Sequence, residues 1–196
     1  MCSHAAQPVA EAAGFVAQRT RPFRFGVFGL GPGSGAEWAE QLHAAEDLGY
    51  CSFFVPDHYI GPGPALDPTR HSVQNFAAIP ALAFAAAVTT SIRIGPRVMC
   101  VDYRNPSVLA KELATIDVLS SGRLDVGLGA GWLDREYAAM GIPFDPASVR
   151  IDRLEQVVGL VTSAMSGEVL DIADKYVQAG GFRAVPARCN DRTLRF

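Results

Sequence analysis

Apolar residues fall into two patterns along this chain: short unbroken runs, and longer stretches where they return every three or four positions. The runs are Phe23 to Phe28, Tyr50 to Val55, Ile92 to Met99 and Arg123 to Leu128. Each has the length of a strand, and unbroken apolar character suits burial on both faces. Helical spacing governs the segments between. Ser34 and Glu37 form a capping box, Trp38, Leu42 and Ala45 follow on one face, and Gly49 takes the C-terminal left-handed position. Phe76 to Val88 is an Ala-rich helix suited to close packing. Asn105 caps a third helix with Pro106 in its first turn, and Val108, Leu109, Leu113, Ile116 and Leu119 make its stripe up to Gly122. A short helix over 133–140 leads to another over 148–165, with Ile151, Leu154, Val157, Val158 and Val161 on one side. Strand and helix alternate, which predicts an α/β fold with a parallel sheet whose strand ends share one rim. An open doubly wound sheet and the first half of a (β/α)8 barrel both fit. A full barrel takes about 250 residues.

The rim carries the candidate chemistry. Pro56-Asp57-His58 ends the second strand, and a long loop to about Asn75 follows it. An imidazole titrates near neutral pH and is a ready acid or base. Asp57 stands next to it, able to orient the ring or favour its charged form. The plain alternative is a polar residue capping a strand end. Gly127, Gly129 and Gly131 at the fourth strand end remove side chains where a flat ring or phosphate could approach backbone, and Trp132 adds an aromatic wall. The plain alternative there is a Gly-rich turn with a packing tryptophan. The third strand ends in Gly95 to Pro106, where the proline at strand entry and the polar switch after Cys100 predict a distorted end such as a bulge, and Cys100 reads as a buried thiol rather than a nucleophile. Asp67, His71 and His58 have no metal-ligand spacing. Gly31-x-Gly33-x-x-Ala36, with Asp57 some way on, matches the permissive dinucleotide fingerprint, with Pro32 interrupting it.

Size and charge narrow the classes. At 196 residues one domain is the default. A formal charge of −3 gives no electrostatic reason to expect nucleic acid or an anionic membrane as partner. No apolar run approaches the roughly 18 residues of a membrane span. Cys2, Cys51, Cys100 and Cys189 are scattered without a C-x-x-C, which favours a reducing, cytoplasmic setting.

Several stretches carry a resemblance: Phe25-Gly26-Val27-Phe28, Ala45 to Tyr50, Pro56-Asp57-His58, Arg104 to Lys111, Leu119 to Trp132 and Glu136 to Phe144. From about Arg21 to Pro186 the chain resembles the luciferase-like monooxygenase family of (β/α)8 flavin and deazaflavin oxidoreductases. Residues 1–20 are Ala-rich without a continuous apolar stretch and read as a flexible arm, while the resemblance implies 21–186 as an incomplete barrel portion and leaves 187–196 as an aberrant tail. It implies His58, with Asp57, as acid or base during hydride transfer to or from an unidentified organic substrate. It implies Arg97, Val98 and Cys100 at a bulge with a non-proline cis peptide under the cofactor ring, and Gly129, Ala130, Gly131 and Trp132 along the cofactor rim. The cofactor would be the deazaflavin coenzyme F-420, or FMN in a version that activates oxygen as a monooxygenase. A glutamate that acts in some relatives is replaced here by Trp132. Relatives are often homodimers and continue into a fifth strand and most of the phosphate-binding loops. Ala187 to Phe196 shows neither, so a truncated or frame-shifted gene is the leading reading of that ending. Two alternatives stand beside the enzyme: a non-catalytic half-barrel acting as a binding module, and a Rossmann-type NAD-dependent dehydrogenase.

Overall fold

The computed structural model describes residues 23–29 and 31–188. The arm expected over 1–20 and the tail beyond Arg188 lie outside the described residues. Strands β1 (Gly26–Phe28), β2 (Ser52–Val55) and β3 (Arg93–Pro96) form a parallel sheet in chain order, joined by helices α1 (Gly35–Asp47) and α2 (Ala78–Val88). The expected capping box is rearranged. Ser34 accepts from the Glu37 N–H at 3.2 Å, but the Glu37 carboxylate reaches one residue further back, to the Gly33 N–H at 2.6 Å.

The run from Ile92 to Met99 predicts one strand, and the structure breaks it in two. β3 stops at Pro96, the Arg97–Val98 peptide is cis, and β4 (Met99–Cys100) belongs to a separate sheet. Pro96 has no N–H to donate to a ladder. Helix α3 (Pro106–Leu119) then leads to β5 (Leu128–Gly129), which pairs in parallel with β4, while Leu124 bridges Ile94. The fourth strand lies so close that a Cβ on Gly95 would stand 2.0 Å from the Asp125 carbonyl oxygen. Side chains alternate across the sheet. Phe53 and Val55 point outward and are buried against Leu42, Leu82, Leu109 and Leu113 of the helices. Ser52 and Phe54 point the other way, into an open cavity of about 520 Å³ shared with Arg24, Arg97 and Val98.

Helices α4 (Asp134–Met140) and α5 (Ala147–Met165) follow β5. Val157, Leu160 and Val161 of α5 are buried, but Ile151 is exposed, as are Val108 and Leu119 of α3, so the predicted stripes overreach at their ends. After α5, β6 (Leu170–Ala173) and β7 (Gln178–Phe182) make an antiparallel hairpin with a register shift between Leu170 and Ile172. Leu170, Val177 and Ala184 are buried in the same core as α5. The strand-and-helix pattern does not announce this hairpin.

Candidate active site

His58 leaves the end of β2, and its backbone is fixed before its ring is. Gln74 closes the base of the long loop: its amide oxygen accepts from the His58 N–H at 3.0 Å, and its amide nitrogen donates to the Pro56 and Phe76 carbonyls at 2.7 Å each. The loop therefore starts and finishes on one side chain.

The ring is held from across the rim. His58 Nδ1 lies 2.7 Å from Glu136 Oε2, a fully buried carboxylate in the first turn of α4. The same carboxylate accepts from the Tyr59 N–H at 2.5 Å and the Tyr103 hydroxyl at 2.9 Å. Burial pushes Glu136 towards its neutral form, but the bonds from His58 and the Tyr59 N–H hold it below the usual carboxylate range. The ionised carboxylate only accepts, so Nδ1 donates, and in the neutral imidazole Nε2 is the nitrogen with the lone pair.

Asp57 does something other than orient its neighbour. Its carboxylate accepts two bonds from Arg104, each 2.7 Å, and one from the Cys100 N–H at 2.9 Å. Burial works against the Arg104 charge, yet the bonds to Asp57 keep its pKa raised. Arg104 also meets the Tyr59 hydroxyl, whose pKa burial and the Asp57 charge push up to about 12. Asp57 thus clamps β4 and the turn after it to the end of β2.

The other predicted site residues divide into packed and open ones. Cys100 is buried with its sulfur 3.1 Å from the Tyr137 hydroxyl, and burial raises its pKa, which keeps it a thiol. Tyr137 in turn donates to Asp102 at 2.8 Å, and Asp102 is paired with Arg153. The Ala130 carbonyl accepts from Arg150 at 3.1 Å. The missing Cβ atoms of the glycines make room for other parts of the protein. A Cβ on Gly127 would stand 2.6 Å from the Pro96 carbonyl oxygen, one on Gly129 2.4 Å from Val98, and one on Gly131 1.8 Å from the Tyr137 hydroxyl. Three remain open: Arg97, whose guanidinium lies 5.9 Å from the Phe54 ring centre, Val98 at 46% exposure and Trp132 at 60%.

Trp132 and His71 complete the surroundings of the imidazole. The His58 ring centre lies 4.2 Å from His71 and 6.0 Å from Trp132, and His71 lies 5.6 Å from Trp132. Among the described residues no three His, Cys, Asp or Glu side chains gather as metal ligands. The Gly31–Gly33 turn gives no seat to a pyrophosphate either, because the Glu37 carboxylate already occupies the Gly33 N–H. None of the described helices is long and apolar enough to cross a membrane.

Residues 13–192 match the luciferase-like monooxygenase family. The chain belongs to that family. It is 34% identical over 137 residues to an F420-dependent glucose-6-phosphate dehydrogenase of Beutenbergia cavernae, covering 69% of this chain and 38% of that one. It is 29% identical over 159 residues to the 5,10-methylenetetrahydromethanopterin reductase of Methanopyrus kandleri, covering 80% and 40%. A monooxygenase from Streptomyces bottropensis superposes with a TM-score of 0.67 at 27% identity, over 86% of this chain and 51% of the other. The luciferase-like chain described here thus spans about 40–50% of its relatives' length, and its parallel strands and helices are part of their barrel.

Proposed function

We propose that this luciferase-like chain supplies the proton-handling part of an oxidoreductase that moves a hydride between a deazaflavin and an organic substrate. One observation carries the reading: His58, its Nδ1 committed to Glu136 at 2.7 Å, offers Nε2 on the strand-end rim beside exposed Trp132. The open residues fit a flat conjugated ring. Val98 and Phe54 give apolar surface along a cavity of about 520 Å³, Trp132 gives an exposed aromatic face, and Arg97 stands at the edge. Arg97, Val98 and Trp132 would hold such a group, which when bound supplies the hydride acceptor or donor.

The chain's own residues do the rest. With an alcohol as substrate, the C–H electron pair leaves as hydride while the O–H proton passes to Nε2 of His58. In the reverse direction Nε2 returns that proton to the carbonyl oxygen. Trp132 and His71 stand beside the imidazole ring. Similarity to F420-dependent relatives favours deazaflavin over FMN.

Titrating the chain with deazaflavin and with FMN, followed by quenching of cofactor fluorescence, tests the reading. Saturable deazaflavin binding that weakens in Trp132→Ala is expected. Tighter binding of FMN would move the proposal to flavin chemistry, and binding of neither would overturn it in favour of a non-catalytic module.

A further inference from the structure

The carboxylate beside His58 in sequence is already committed, and that leaves the imidazole to another partner. Asp57 receives two bonds from Arg104 and one from the Cys100 N–H. Glu136, 78 positions away, receives His58, the Tyr59 N–H and the Tyr103 hydroxyl. We infer that Glu136 is the positioning residue of this site, holding His58 with its hydrogen on Nδ1 and presenting Nε2 as the reacting nitrogen. The inference deepens the hydride-transfer reading and rests on it for the role of Nε2, not for the orientation of the ring.

Three donors converge on Glu136 from different parts of the chain: the loop after β2 gives the imidazole and the Tyr59 N–H, and the turn after β4 gives Tyr103. A backbone N–H can only donate, so it fixes Oε1 as an acceptor, and Oε2 takes the remaining two. Which ring nitrogen carries the hydrogen follows from the bond the other makes. The groups around the ring are Glu136 from α4, His71 from the long loop and Trp132 from the strand end. His71 does not compete for the Glu136 bond, since its own Nδ1 donates to the Ser72 carbonyl at 2.8 Å. Beyond these lies the Asp57–Arg104 pair, with Tyr59 and Tyr103. Glu136 and His58 thus form a dyad in which the buried partner never touches substrate.

Long-range ¹H–¹⁵N spectra of the ¹⁵N-histidine-labelled chain at about pH 8.5, above the usual imidazole range, read the tautomer directly. The chain has four histidines, and loss of one signal in His58→Gln assigns the ring. The wild-type chain should show hydrogen on Nδ1. Glu136→Gln should keep that pattern, because its amide oxygen still accepts. Glu136→Ala should shift the ring towards hydrogen on Nε2. Hydrogen on Nε2 in the wild-type chain overturns the inference with no variant needed, so a variant that fails to fold leaves the test intact. An unchanged tautomer in folded Glu136→Ala overturns it too. If the tautomer behaves as expected but His58→Gln still transfers hydride at the wild-type rate, the positioning stands and the functional reading falls.

Discussion

At the scale of single residues, the glycine cluster at and around β5 shows how backbone approach shapes this rim. Gly127 faces a carbonyl oxygen, and Gly129 faces the branched side chain of Val98. Neither has room for a methyl group, and the carbonyl has less freedom to retreat than the side chain. Gly127→Ala should cost about 1–3 kcal/mol by overpacking, read as a lower urea midpoint with an unchanged slope. Stability equal to wild type would mean that the strand ends are less tightly apposed than described. The glycines themselves are visible in sequence as a ligand cradle or a turn. What they admit is not, because Pro96 and Val98 come from the break between β3 and β4, some thirty residues earlier. Glu136 is hidden for the same reason. A carboxylate in the first turn of a helix just past the rim is a signal of sorts, but Asp57, adjacent to His58, is the easier choice.

Elements are held to one another by charged side chains at backbone ends. Arg123 donates to the Ala86 carbonyl at 3.0 Å and the Thr89 carbonyl at 2.9 Å, closing the C-terminal end of α2. Glu46, near the end of α1, accepts from the Thr90, Ser91 and Ile92 N–H groups at the entry to β3. Burial opposes the Glu46 charge, but those N–H bonds lower its pKa from 4.5 to about 2. The sign follows from that direction. The stability it contributes is present above pH 4.5 and lost as the pH falls towards 2. Glu46→Gln should therefore destabilise by about 1 kcal/mol at neutral pH, and the gap to wild type should shrink by about pH 3. Chemical denaturation at both pH values checks this, and a gap independent of pH would refute it. Period and capping residues make these helices legible in the sequence, since Asn105 and Pro106 mark where α3 begins and Gly141 where α4 ends. The hairpin is not legible: β7 contains Gly180 and Gly181 and has no alternating pattern. Its stability comes from docking on α5, which local sequence does not encode.

For the molecule as a whole, the two faces of the sheet have different fates. The outer face is covered by helices, while Phe54, Val98 and Pro96 line the open inner side. Water against that much apolar surface is unfavourable. The 196-residue chain should raise the fluorescence of an apolar dye such as ANS in native buffer, and Phe54→Ser should lower that signal. No enhancement from the folded chain would show that something else covers the inner face. The alternation of strands and helices makes a parallel α/β fold readable but leaves the doubly wound sheet and the barrel both open; the barrel follows from the motifs between Phe25 and Phe144 that resemble the family. The uncovered interior depends on length relative to the family.

Helix α4 has seven residues and no side-chain cap at its N-terminus, yet it carries both Glu136 and Tyr137. Short helices open and close readily, and such local openings need not involve the sheet. Each opening would release the His58 ring from its orientation while leaving the fold intact. Warming should therefore free the imidazole before the fold melts, read as loss of the Nδ1–H tautomer signal below the melting temperature. Ala138 and Ala139 are exposed on this helix, and as strong helix formers they lend it the persistence that the orientation of the His58 ring depends on.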